Sequence, residues 1–288
     1  MVALQVESKG WLRALLQIIL FILVLAGAVA PLLLVPNSLI QFLLATMVLV
    51  ALLFVWARHV DRRPFSDYGL MPFGRLLSAT LAGLVIGTVS VAIVFGVSVA
   101  LGAIEVSELP VTIAFAAILS FFLKMLVVGV WEEIFFRGFL FTSLRDVFAS
   151  KSNARAGIFG ALLVSSLAFG IAHSMTDHAS IASLAILAVN GAMLCIPFVL
   201  TGNLGLSIGF HAAWNFAQSK IFGFAMSGNP AEGSLIAIEQ QGPVFWTGGA
   251  YGPEAGLAGL LGLAVGLALF VAVIALFPRL TGKSGTSG

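Results

Sequence analysis

Residues 115–137 read FAAILSFFLKMLVVGVWEEIFFR, an apolar run of membrane-spanning length that carries Lys124, the adjacent carboxylates Glu132 and Glu133, and Arg137. A span needs about 20 predominantly apolar residues, so this stretch belongs in a bilayer. An ionisable side chain there costs at least ~2.5–3.5 kcal/mol on insertion scales, and it persists where it pairs, lines a water-filled cavity or does chemistry. One run therefore decides the fold class and points to a site.

The rest of the chain agrees with it. With 60% hydrophobic and 9% charged residues and a mean hydropathy of +1.11, the 288-residue chain is too apolar for a soluble globule. Eight apolar segments, near 11–35, 39–57, 76–102, 111–146, 157–174, 180–201, 204–226 and 254–277, predict an all-α polytopic transmembrane helix bundle of about eight spans. The first segment has no clear small-residue cleavage site and is read as a retained helix.

Basic flanks stay cytoplasmic. Lys9 and Arg13, then Arg58, Arg62, Arg63 and Arg75, then Arg145, Lys151 and Arg155, then Arg279 and Lys283 all fall on one side of an eight-span chain, which predicts that both termini are cytoplasmic. The other side carries Glu105, Glu108, Asp177, Glu232, Glu239 and Glu254. The net charge of +2 is explained by these flanks, so no nucleic-acid partner is expected. A single cysteine, Cys195, excludes an intramolecular disulfide and a thiolate metal cluster. The chain divides into accessory spans at 1–104, a core at 105–226, and an outer Gly-rich loop with the last span and tail at 227–288. The break at 227–253 is read as an outward loop, with a partly re-entrant lid as the alternative, and 281–288 as a disordered tail.

Glu133 and Arg137 stand four apart with the acid first, the favourable order for a same-face ion pair. Glu132 points about 100° away from Glu133 at 3.6 residues per turn, which leaves it free for chemistry. In the next span Phe169 sits four residues before His173 and can pack beneath the imidazole. In a hairpin turning near 148–156, Glu132 and His173 rise to the same height, roughly 25 Å above the turn. Neighbouring His178 is read as interfacial. A third span carries Asn203, Ser207, His211 and Asn215 every four residues, a polar stripe that must face the bundle interior. Asn203 and Ser207 are assigned to interhelical hydrogen bonds, and His211 with Asn215 to chemistry. Lys124 and Asn190 have no assigned partner.

A glutamate with two histidines either binds a divalent metal and activates its water or activates water directly as a general base, and an asparagine amide or a protonated histidine can stabilise an oxyanion. Both routes lead to peptide hydrolysis. The soluble zinc-protease signature His-Glu-x-x-His is absent.

The set Glu132-Glu133-x-x-x-Arg137, Phe169-x-x-x-His173 and His211-x-x-x-Asn215 resembles, in order and spacing, the three motifs of the CPBP intramembrane protease family. That family includes type II CAAX prenyl endopeptidases and bacterial proteins linked to bacteriocin processing and self-immunity. The resemblance, over about 111–226, implies an intramembrane endopeptidase with its site open to the cytoplasm. It gives Glu132 and His173 the water-activating role, His211 and Asn215 the oxyanion role, and Glu133 with Arg137 a supporting one. The partners it implies are a membrane-associated protein or peptide, prenylated or leader-type, and the lipid bilayer. If a zinc is bound, Glu132, His173 and His211 become its ligands; the metal-free arrangement gives every motif residue one task. The competing readings are a non-catalytic scaffold or immunity protein of the same fold, and an ion-coupled transporter using Glu132, Glu133 and Lys124.

Overall fold

The computed structural model describes residues 10–107, 114–149 and 154–277. Helix α1 (Trp11–Val29) ends in a 3₁₀ turn (Ala30–Leu34), and α2 (Ser38–Trp56) starts on Asn37, whose side chain accepts from the Ile40 amide at 3.1 Å. α3 (Phe73–Ala100) is followed by the short strand β1 (Ile104–Val106). α4 (Phe115–Glu133) runs through a π-helical segment (Ile134–Phe141) into α5 (Thr142–Phe148). α6 (Ala154–Ala172), α7 (Ile181–Thr201) and α8 (Gly205–Phe216) follow. Strand β2 (Ile238–Gln240), the single turn α9 (Val244–Thr247) and α10 (Leu257–Leu276) complete the order.

Among the described residues seven helices are long and apolar enough to cross a membrane, so the protein is an integral, multi-pass, all-α bundle. Their positions match seven of the eight apolar segments. The remaining segment, 204–226, is corrected: its helix α8 has only 12 residues, extended by one π turn (Ala217–Ile221). The physical reason is burial. Every residue from Gly205 to Trp214 is buried, so α8 meets protein and not lipid and needs no full-length apolar surface.

Small residues let α8 reach the centre. A Cβ on Gly205 or Gly209 would overlap backbone of α3, and one on Gly83 or Gly87 of α3 would overlap backbone of α8, the close approach that small-xxx-small spacing permits between membrane helices. The stripe residues lock the contact: Asn203 Nδ2 donates to the Arg75 carbonyl at 3.1 Å and Ser207 Oγ to the Leu194 carbonyl at 2.8 Å.

The two ends of the bundle differ. At one end Arg63 pairs with Asp146, Arg145 lies 3.5 Å from the same carboxylate, and Tyr68 donates to Asp61. Arg145 is therefore buried in a clamp between the end of α2 and α5. The opposite end holds the 35–37 turn, the 173–180 turn and the chain from 222 to 256. That last stretch is not a plain outward loop, because β2 pairs antiparallel with β1 and residues 251–254 are buried. The expected tail at 281–288, with Lys9, Glu108, Lys151, Arg279 and Lys283, lies outside the described residues.

Candidate active site

The π segment begins directly after the two glutamates, and such wide turns recur at functional sites inside α-helices. Glu133 is fully buried and points to α7 and α8. Its Oε1 accepts from Arg137 Nη1 at 3.0 Å and lies 2.8 Å from His211 Nδ1, while Arg137 Nη2 donates to the Gly191 carbonyl at 3.2 Å. The Arg137 guanidinium also stacks 4.4 Å from the centre of the Phe169 ring. Phe169 thus supports two groups at once, because the His173 ring lies 4.9 Å away on its other neighbour side.

His211 bridges the two carboxylates. Its Nδ1 faces Glu133, and its Nε2 lies 3.8 Å from Glu132 Oε2, too long for a direct hydrogen bond. Glu132 Oε2 is buried and has no hydrogen-bond partner. His173 Nδ1 lies 2.9 Å from the Phe169 carbonyl. A carbonyl only accepts, so the proton sits on Nδ1 and Nε2 of the neutral ring carries a lone pair.

Glu132, His173, His211 and Asn215 all line one cavity of about 580 Å³. The structure brings together the four residues expected to do chemistry; Phe169 lines the same cavity, and the buried Glu133 and Arg137 lie behind it. One pairing differs from expectation: no hydrogen bond joins His211 to Asn215, and His211 is held by the glutamates of α4. The reason is packing, since α4 lies directly against α8.

Two histidines and a glutamate are donors of the kind a catalytic zinc takes, but among the described residues no three His, Cys, Asp or Glu side chains are grouped closely enough to hold an ion.

The cavity also takes residues that sequence reasoning did not assign to it. Met226, Ser227 and Glu254 form part of its wall, so the 222–256 stretch borders the site near its two ends as a cap. Glu254 Oε2 accepts from the Ser227 amide at 2.8 Å and from its hydroxyl at 2.9 Å, and Thr176 donates to Tyr251 at 3.3 Å. Nothing local in a Gly- and Pro-rich loop marks Glu254 as buried; only tertiary packing does. Burial pushes its carboxyl above the ordinary carboxylate range, against the opposing pull of the Ser227 donors and the site histidines. A folded-state pKa raised above the usual 4.5 stabilises the fold below that value and loses the contribution as pH rises towards the folded pKa. Replacing Glu254 by Gln should therefore raise the melting temperature by an amount that grows as the pH rises above 4.5; an increment independent of pH would contradict this.

The cavity lies towards the end that holds the 35–37 turn and the cap, with Val29, Phe42, Thr176 and Ser227 in its wall, and away from Arg63 and Arg145. Cytoplasmic termini, argued from charge, and a cytoplasmic mouth, implied by the resemblance, therefore cannot both hold.

Residues 114–217 match the family model described as Rce1-like, type II CAAX prenyl endopeptidase Rce1-like. The matched segment includes every motif residue and ends before the cap. Neither the comparison with curated proteins nor that with solved structures gives a match.

Proposed function

We propose that the chain, whose residues 114–217 match the Rce1-like model of type II CAAX prenyl endopeptidases, is an intramembrane endopeptidase that hydrolyses a peptide bond of a membrane-associated substrate within the α4–α6–α8 cavity. The observation that carries this reading is the partnerless Glu132 oxygen facing His211 Nε2 across 3.8 Å, a gap that one water can bridge by bonding to both.

In this mechanism Glu132 takes a proton from that water, and the Nε2 lone pair of His173 orients it. The hydroxide attacks the scissile carbonyl. His211, protonated on both nitrogens with its Nδ1–H held by Glu133, donates from Nε2 to the tetrahedral oxyanion together with the Asn215 amide, and Glu132 returns the proton to the leaving amine. Glu133 acts through His211, and Arg137 neutralises Glu133. Ile22, Leu25, Ala26, Val29 and Phe42 give the cavity an apolar flank on α1 and α2, which suits a lipid-anchored or hydrophobic peptide segment. The N-terminal spans then serve as a wall of the site as well as accessory helices.

The test is cleavage of lipid-anchored peptides by the purified protein in nanodiscs, read by mass spectrometry. A matched pair of fragments is expected, and a folded protein that leaves all such peptides intact would overturn the proposal.

On the charge argument the mouth opens on the non-cytoplasmic side, opposite the arginine-rich end. Met175, adjacent in sequence to the cavity-lining Thr176, is 93% exposed and the native Cys195 is buried, so Met175→Cys gives a single reporter. It should react with a membrane-impermeant maleimide in intact cells. Protection until the membrane is opened would instead place the mouth in the cytoplasm.

A further inference from the structure

Behind the active-site cavity a second, much smaller void of about 10 Å³ lies between α7, α8 and α10, and Leu187, Asn190 and Glu254 border both spaces. Trp214 of α8 completes its polar wall. Asn190 Oδ1 and Trp214 Nε1 are buried without a hydrogen-bond partner, and Glu254 takes both of its hydrogen bonds, from the Ser227 amide and hydroxyl, on Oε2. Its Oε1 has no partner among the described residues. Buried donors and acceptors left unmade keep the full penalty of their desolvation, so three around one void call for a common ligand.

A single water fits them. The indole N–H only donates, while the Asn190 and Glu254 oxygens accept, so a water that accepts from Trp214 and donates one hydrogen to each oxygen satisfies all three. Buried waters typically make about three such bonds, and a void of roughly 10–15 Å³ is the smallest that holds one. Two glycines of α10 bring the partners together, because a Cβ on Gly262 would overlap the Trp214 ring and one on Gly259 would overlap the Pro253 carbonyl, next to Glu254.

Asn215 follows Trp214 directly in the last turn of α8, where the helix passes into the π turn and its hydrogen-bond ladder changes. His211 is fixed by Glu133, but Asn215 makes no hydrogen bond among the described residues. Its aim therefore depends on how the end of α8 is held. We propose that a water bound by Trp214, Asn190 and Glu254 ties α8 to α7 and to the cap, and that Trp214 and Glu254 are thereby positioning residues that aim the Asn215 amide at the oxyanion. The helix is then held from two sides, by α4 through His211 and by the cap through Trp214. Seating the cap completes the oxyanion site as well as bordering it.

This inference rests on the endopeptidase reading for the role of Asn215, and the experiment separates the two. A crystal structure of the protein that resolves ordered water should show one water about 2.7–3.2 Å from Trp214 Nε1, Asn190 Oδ1 and a Glu254 oxygen. A dry void would overturn the proposal, whatever the protein cleaves. In parallel, kcat and KM on a lipid-anchored peptide are measured for Trp214→Phe, which keeps a ring against Phe210 but has no N–H, and for Glu254→Leu, each alone and combined with Asn215→Ala. Each single variant should lower kcat at least about tenfold, because a small misplacement of a reacting group costs up to about 10²-fold. KM should change little, since the oxyanion contact is made only in the transition state. Asn215→Ala alone should cost about 10²–10³-fold, the usual loss of one oxyanion donor. Once Asn215 is Ala, neither Trp214→Phe nor Glu254→Leu should lower kcat further, whereas a plain packing defect would multiply with it. Native kcat in Trp214→Phe, or an equal further loss in the Asn215→Ala background, would overturn the positioning role. If the native protein cuts no peptide, the endopeptidase reading and the role in catalysis fall together, and an ordered water in the void still supports the tie between cap and α8.

Discussion

Glu132→Gln is expected to lower the cleavage rate by about 10²–10⁴-fold, the usual contribution of a positioned general base, with little change in melting temperature. The amide keeps the size of the side chain but cannot accept the water's proton. Stability should hold because, among the described residues, Glu132 Oε2 has no hydrogen-bond partner to lose, and the neighbouring His211 is held independently by Glu133. Rates are measured on a lipid-anchored peptide in nanodiscs, and folding by thermal melting in the same preparation. A variant that still cuts at the native rate would remove Glu132 from the mechanism. A variant that is inactive only because it does not fold would assign the residue to structure.

Glu133→Gln should fail in a different way. Glu133 is fully buried and its Oε1 serves both Arg137 and His211, so removing its charge strands a buried guanidinium. Breaking a buried pair by removing one partner costs about 3–5 kcal/mol. We expect a large fall in yield and melting temperature together with loss of activity. The double change Glu133→Gln with Arg137→Met removes the stranded charge and should recover much of the stability, because replacing a whole buried pair is far less costly than halving it. It should not recover activity, since His211 has lost the carboxylate that orients its ring. Equal stability of the single variant and the native protein would show that the pair does not hold α4 to α7.

The contrast between these two glutamates was partly legible in the sequence. Four-residue spacing identified Glu133 with Arg137 as the pair and left Glu132 over, and the structure has that pair at 3.0 Å. Hydropathy located the long helices to within a few residues, because a bilayer imposes their length and character. It failed for α8, where apolarity reflects burial in protein and glycines set the approach of α3. The partner of His211 was also out of reach. Asn215 is its neighbour one turn along, but the choice of Glu133 depends on how α8 is rotated against α4, which no local pattern encodes. The same holds for the cap: Glu254 lies between Pro253 and Ala255 in a stretch that reads as solvent-exposed turn, and only its contact with Ser227 brings it into the cavity. Lys124 was visible from the start as a charge without a partner, and the fold adds that it faces the same space as Glu132.

The central claim is that Glu132 itself activates the water. If a zinc were the activator, Glu132, His173 and His211 would be its ligands, and a catalytic zinc wants about three such groups with one open position. The direct measurement is the cleavage rate of the purified native protein after exhaustive chelation, with its metal content determined by elemental analysis. Activation of the water by Glu132 alone leaves the rate unchanged and the zinc substoichiometric. Loss of activity on chelation, restored by added zinc or cobalt, would contradict it and make Glu132 a ligand.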